Sequence, residues 1–95
     1  MDIRLLEEAT ATLRRAANSG VDRRQKDVYY EMSSKMKVVL QSMYEQQQKL
    51  KQIAYLADQV HNSNLAETFQ QMVRKMNQEL QEAEAVIRQM RNIAN

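Results

Sequence analysis

The chain contains no proline and a single glycine, Gly20, among its 95 residues. Proline interrupts helices most strongly, because its ring clashes with the preceding turn and it has no amide hydrogen to donate. Glycine adopts positive φ values readily and therefore often marks the point where a helix stops. The sequence predicts an all-α fold in which the first corner of the chain lies at Gly20.

Hydrophobic periodicity predicts three helices within a single helical domain that covers the whole chain, residues 1–95. The predicted helices are α1 (about residues 3–17), α2 (about 22–61) and α3 (about 64–94). Asp22 is the predicted N-cap of α2, and Gln25 three residues later completes a capping box. Asn64 is the predicted cap of α3. The short connection between α2 and α3 favours an antiparallel hairpin.

Apolar residues recur every three or four positions along both long helices, as in a coiled coil. The predicted stripe of α2 is Tyr29, Met32, Met36, Val39, Met43, Gln46, Leu50, Ile53, Ala57 and Val60. The predicted stripe of α3 is Phe69, Met72, Met76, Glu79, Ala83, Val86, Met90 and Ile93. The hairpin register then places Gln46 opposite Glu79. This polar pair is either a partly solvated contact of small net value or a device that fixes the register.

The corner at Gly20 predicts that α1 packs back along the first part of α2, which gives a coiled-coil-like three-helix arrangement at one end. Because α1 is much shorter than α2, the other end contains α2 and α3 alone. Two helices bury little apolar surface, so we expect this two-helix end to contact a partner.

Ten residues are candidate partner contacts, because they are large apolar or aromatic residues of the two-helix end or of a second face of α2. They are Tyr30, Tyr44, Leu50, Ile53, Tyr55, Leu56, Val60, Leu65, Phe69 and Met72. Tyrosine is favoured at protein interfaces because its ring is apolar and its hydroxyl is polar. The alternative for two of the tyrosines is a structural role, with Tyr30 beneath α1 and Tyr44 over apolar neighbours.

Five cations gather near the Gly20 corner, namely Arg14, Arg15, Arg23, Arg24 and Lys26. They are candidate contacts for an acidic partner or another anion. The alternative is a solvated end of the molecule, where Arg14 and Arg15 complement the dipole of α1. A net charge of only +2 and the lack of an arginine-rich or aromatic stacking motif disfavour a nucleic-acid partner.

The sequence contains no motif for catalysis, cofactor binding or metal ligation. His61 is the only histidine, and the chain has no cysteine. We therefore expect no enzyme activity, no cofactor and no metal. No apolar run is long enough to predict a membrane span or a signal peptide, and the lack of cysteine favours a cytoplasmic location.

These observations predict a non-enzymatic protein–protein interaction module. We expect a small helical-bundle or coiled-coil subunit, or an adaptor, that assembles with itself or with another helical protein. The alternative hypothesis is a secretion-associated helical hairpin, or a small chaperone that holds an exported partner.

Overall fold

The computed structural model describes residues 1–95 and contains three helices and no strand. The helices are α1 (Ile3–Ser19), α2 (Arg23–Gln59) and α3 (Ser63–Ala94). The molecule is elongated, with principal dimensions of 58 × 20 × 13 Å. The prediction of a long helical hairpin with a shorter N-terminal helix at one end is confirmed.

Side-chain caps explain where the helices begin. The Asp2 side chain accepts a hydrogen bond from the Arg4 amide at the start of α1. The predicted capping box of α2 is present, because the Gln25 amide donates to Asp22 Oδ1 at 2.8 Å and the Asp22 amide donates to Gln25 Oε1 at 2.9 Å. Each cap satisfies amide groups that have no partner within the helix.

The start of α3 differs from the prediction. Asn62 rather than Asn64 is the cap, and its side-chain oxygen accepts from the Leu65 amide at 3.1 Å. The reason is that α2 ends at Gln59 and the chain reverses early, with His61 at φ 58°. Asparagine suits a helix cap at either position, so the tightness of this turn selects the earlier one.

Gly20 has φ 79° and ψ 145°, a backbone conformation that residues with a side chain rarely adopt. This confirms the predicted positive φ at the end of α1. The corner reverses the chain between α1 and α2 within three residues, so α1 runs antiparallel to α2 and parallel to α3.

Cross-helix contacts define the register of the α2–α3 hairpin. The Gln47 side chain lies against Asn77, and Ser33 lies against Arg91 near the other end. Both pairs agree with the predicted antiparallel register to within one residue. Gln46 and Glu79 form no hydrogen bond with each other, because Glu79 is paired with the Met1 amino group, and the buried glutamine is Gln47.

The position of α1 is also different from the prediction, since α1 packs along α3 and makes no close backbone contact with α2. Leu6 and Leu13 of α1 join a buried apolar cluster that also contains Val86 and Ile93 of α3. Polar anchors lie on the same side, because Thr10 Oγ1 donates to Glu82 Oε1 at 2.8 Å. The combination of apolar and polar partners on α3 explains why α1 lies there.

Candidate protein-interaction surface

The long helix α2 carries two neighbouring rows of side chains, and only one of them is buried. The inner row is buried or half-buried, and from Tyr29 onwards it faces α3: Lys26, Tyr29, Ser33, Met36, Leu40, Met43, Gln47, Leu50, Ala54 and Ala57. These positions alternate steps of three and four residues, which keeps one side of a helix against its neighbour. Half of them were predicted for the stripe, namely Tyr29, Met36, Met43, Leu50 and Ala57.

The other half of the predicted stripe forms an exposed outer row. It consists of Met32, Val39, Gln46, Ile53 and Val60, spaced seven residues apart, and all five are exposed. Val60 is 71% exposed and Ile53 is 40% exposed. The predicted stripe therefore does not lie wholly against α3, and the exposure of Ile53 and Val60 leaves both available as the partner contacts predicted for them. Four large apolar side chains instead line one side of α2 at a spacing suited to another helix.

Small residues on the inner row explain why it is the row that faces α3. Ala54 and Ala57 of α2 and Ala66 of α3 are all buried near the α2–α3 turn. Ser33 is fully buried near the other end, where its hydroxyl donates to the Tyr30 carbonyl at 2.6 Å and accepts from Arg91 Nε at 3.3 Å. Small side chains let two helices approach closely, so that dispersion contacts between the two backbones take the place of contacts between large side chains.

A buried amide, which sequence reasoning missed, lies midway along the hairpin. Gln47 is 3% exposed, and its Nε2 donates to the side-chain oxygen of Asn77 and to the Val73 carbonyl. Glu79, by contrast, is paired with the amino group of Met1 at 3.4 Å. The run Gln46-Gln47-Gln48 offers no local signal that its middle member is buried, since all three residues are identical.

The α1 face is the side of the hairpin on which α1 lies, and α1 covers only one half of it. Met1 lies where the covered half ends, within a surface cavity that it shares with Leu50, Met72 and Met76. Beyond Met1 the same face continues towards the α2–α3 turn. We call this continuation the open half, and its residues are Leu50, Ile53, Val60, Leu65, Phe69 and Met72.

All six residues of the open half were predicted as partner contacts. Leu50 and Phe69 are half-buried between the two helices, whereas the other four are exposed. Leu56, also predicted, is exposed at 58% and adjoins the open half on the outer side of α2. The structure thus brings these seven apolar candidates to one end of the molecule.

The three candidate tyrosines do not join this patch, and each has a different environment. Tyr30 is 55% exposed and lies under the Arg91 guanidinium at 5.1 Å from the ring centroid, rather than beneath α1. Tyr55 is 65% exposed and lines a separate surface cavity together with Arg74. Because Tyr55 is two residues from Ile53, it lies on the opposite side of α2.

Tyr44 connects the two long helices through a hydrogen bond from its hydroxyl to Glu84. This bond, with lesser contributions from desolvation and from the Glu84 charge, raises the pKa of the Tyr44 hydroxyl above its usual value of 10.0. The negative carboxylate favours the neutral hydroxyl that donates to it. Tyr44 is therefore engaged within the hairpin through a polar contact, which neither the partner-contact prediction nor its structural alternative included.

The cations near Gly20 surround the end of the molecule without forming a pocket around an anion. Arg14, Arg15, Arg23 and Arg24 are exposed, and Lys26 is half-buried. None of these cations forms an ion pair, because the only ion pairs in the chain link Met1 to Glu79, Arg4 to Asp2 and Lys35 to Glu31. Their charges are solvated in this structure.

The structure contains neither a metal-binding cluster nor a helix that could span a membrane. No group of three or more histidine, aspartate or glutamate side chains is arranged to hold a metal ion. None of the three helices is both long enough and apolar enough to cross a membrane. A comparison with protein-family models, curated proteins and solved structures found no match to this chain.

Proposed function

We propose that this protein is a non-enzymatic interaction subunit or adaptor that assembles with a helical chain through the open half of the α1 face. The observation that supports the proposal is the exposed outer row of α2, which continues into the open half. Large aliphatic side chains at seven-residue spacing are what one helix presents to another. We further propose a cytoplasmic location, since the chain has no cysteine.

Covering this surface would yield useful free energy. Complete burial of a valine, leucine, isoleucine or methionine side chain is worth about 1.5–3 kcal/mol. Ile53, Val60, Leu65 and Met72 each retain 40–71% of their surface exposed. Their burial by a partner is therefore worth about 1 kcal/mol each, or about 4 kcal/mol in total. Further contacts, from Leu56 and from side chains at the edges of the open half, are needed to offset the entropy lost on association.

The experiment compares assembly of the wild type with that of a variant carrying Ile53→Glu and Val60→Glu. Light scattering coupled to chromatography measures the mass of the chain alone and of the complex co-purified from its native source. We expect the variant to keep its helix content, because both positions are exposed, and to lose its partner. Gln52→Glu is the matched control, since it adds a charge at an exposed position outside the open half.

Two outcomes would contradict the proposal. The first is a wild type that is monomeric at every concentration and co-purifies with nothing. The second is a partner that is retained equally by the wild type, the double variant and the control. Loss of assembly in the double variant alone supports the proposal, provided that circular dichroism shows the same helix content in all three proteins.

A further inference from the structure

α1 shows how the hairpin binds a helix on its α1 face. Its apolar side chains Leu6 and Leu13 pack against α3 in the buried cluster that contains Val86 and Ile93. α1 begins at Ile3, level with the middle of the hairpin. The α1 face is therefore a helix-binding surface that this chain itself occupies along one half.

The open half continues the same rows of side chains. Leu65 and Met72 precede Glu79, Val86 and Ile93 at seven-residue intervals on α3, so they lie on the side that α1 covers further along. From Leu65 to Met76 the helix rises about 16 Å at 1.5 Å per residue. A helix of about three turns fills that length.

The edges of the open half are basic. Lys49 on α2 and Lys75 on α3 are both exposed and form no ion pair. Lys75 lines the cavity beside Met72, at the end of the open half that is nearer to α1. Glu79 lines the same cavity as Lys75, but its carboxylate is paired with the amino group of Met1. Asp58 lines the cavity on the opposite face with Tyr55.

The charge of the two-helix end favours a different protein over a second copy of this chain as the occupant of the open half. The two-helix end carries four cations, Lys49, Lys51, Arg74 and Lys75, against two acidic residues, Asp58 and Glu67. A second copy of the chain would bring the same positive end against this one. Like charges in close contact disfavour that pairing, whereas acidic residues on another chain complement the lysines.

We propose that the open half binds a three-turn amphipathic helix of another protein, apolar on one face and carrying aspartate or glutamate along its edges. The bound helix lies in line with α1 and completes a three-helix bundle along the whole hairpin. This inference rests on the proposed function and specifies the chemistry of the partner. Leu50, Ile53 and Met72 contact its apolar face, and Lys49 and Lys75 contact its acidic edges.

The test uses two synthetic 14-residue helical peptides with the same leucine and alanine face. Glutamates flank that face in one peptide and lysines in the other. A side-chain cross-link holds each peptide helical, because isolated helices of this length are marginal in water. Fluorescence anisotropy measures the binding of each labelled peptide to the full chain.

We expect the glutamate peptide to bind roughly tenfold more tightly than the lysine peptide at low salt. Lys49 and Lys75 attract the glutamates of the first peptide and repel the lysines of the second. Salt at about 0.5 M should remove most of the difference. The double variant Lys49→Glu with Lys75→Glu should reverse the preference. The matched control Lys51→Glu with Arg74→Glu, whose residues line the cavity on the opposite face, should retain it.

Several results would overturn the inference. They are equal affinity for the two peptides, no binding of either peptide, and a preference that the double variant leaves unchanged. A wild-type dimer that Ile53→Glu converts to a monomer would also overturn it, because a second copy would then occupy the open half. That last result leaves the proposed function standing, so the two failures are distinguishable.

Discussion

Replacing Gln47 by glutamate tests the central polar contact of the hairpin. The Gln47 side chain donates to Asn77 and to the Val73 carbonyl, and a carboxylate can donate to neither. Loss of the two hydrogen bonds costs about 2 kcal/mol. Burial of a charge that faces two acceptor oxygens adds about 1.5 kcal/mol. An ion pair between the new carboxylate and Lys51, four residues further along α2, recovers about 0.5 kcal/mol.

We therefore expect Gln47→Glu to lower the free energy of unfolding by about 3 kcal/mol at pH 7, out of a total of about 5–15 kcal/mol for a domain. For a chain of this size that corresponds to a fall in Tm of roughly 12–24 °C. Thermal and urea unfolding followed by circular dichroism measure both quantities. Gln46→Glu and Gln48→Glu are matched controls, because both glutamines are exposed neighbours in the same run.

The pH dependence provides an independent check on the same reasoning. Burial raises the pKa of the introduced carboxyl above the ordinary glutamate value of about 4.3. The deficit of Gln47→Glu relative to its controls should then be small below pH 4 and grow as the pH rises through the raised pKa. Equal stability of all three variants at pH 7, or a deficit unchanged by acid, would refute the buried position of Gln47.

Three further substitutions test other contacts of the fold. Glu84 raises the pKa of the Tyr44 hydroxyl, so the stabilisation from their hydrogen bond should be complete below pH 10 and be lost as the pH rises through the raised pKa. Tyr44→Phe should remove this alkaline dependence of the free energy of unfolding, as measured by urea titrations. Gly20→Ala should cost about 1–3 kcal/mol in thermal unfolding, because alanine is strained at φ 79° even though space is available for its Cβ. Leu13→Ala should cost about 2–5 kcal/mol and accelerate amide hydrogen exchange throughout α1, whereas the exposed Leu5→Ala should change neither measurably.

Local sequence signals predicted the elements of the fold well and their mutual packing less well. The long helices, the corner at Gly20 and the capping box at Asp22 were predicted from residues close together in the chain. The structure contains all three features. The position of α1 depends instead on contacts between residues far apart in the chain, such as Leu6 and Leu13 with Val86 and Ile93, and Thr10 with Glu82 72 residues away. No periodic pattern within α1 distinguishes α3 from α2 as its neighbour.

The choice of row on α2 shows a second limit of periodicity. Positions 32 and 33 are adjacent, and either one continues a three- and four-residue pattern from Tyr29. Hydrophobicity favours Met32 over Ser33 and Ile53 over Ala54, which is why the predicted stripe of α2 included the outer row. The structure buries the smaller residue in each pair, since close approach to α3 requires small side chains on both helices.

This choice bears on the function of the open half. A chain that folds only for its own stability gains most by burying its larger apolar side chains, at about 1.5–3 kcal/mol each. This chain buries Ala54 and Ala57 against α3 and leaves Ile53 and Val60 exposed. Ile53 and Val60 keep 40% and 71% of their surface exposed beside the close α2–α3 contact, so that surface is available to another helix. That division supports the proposal that the open half binds a partner, and it explains why charges added at Ile53 and Val60 should abolish assembly without unfolding the hairpin.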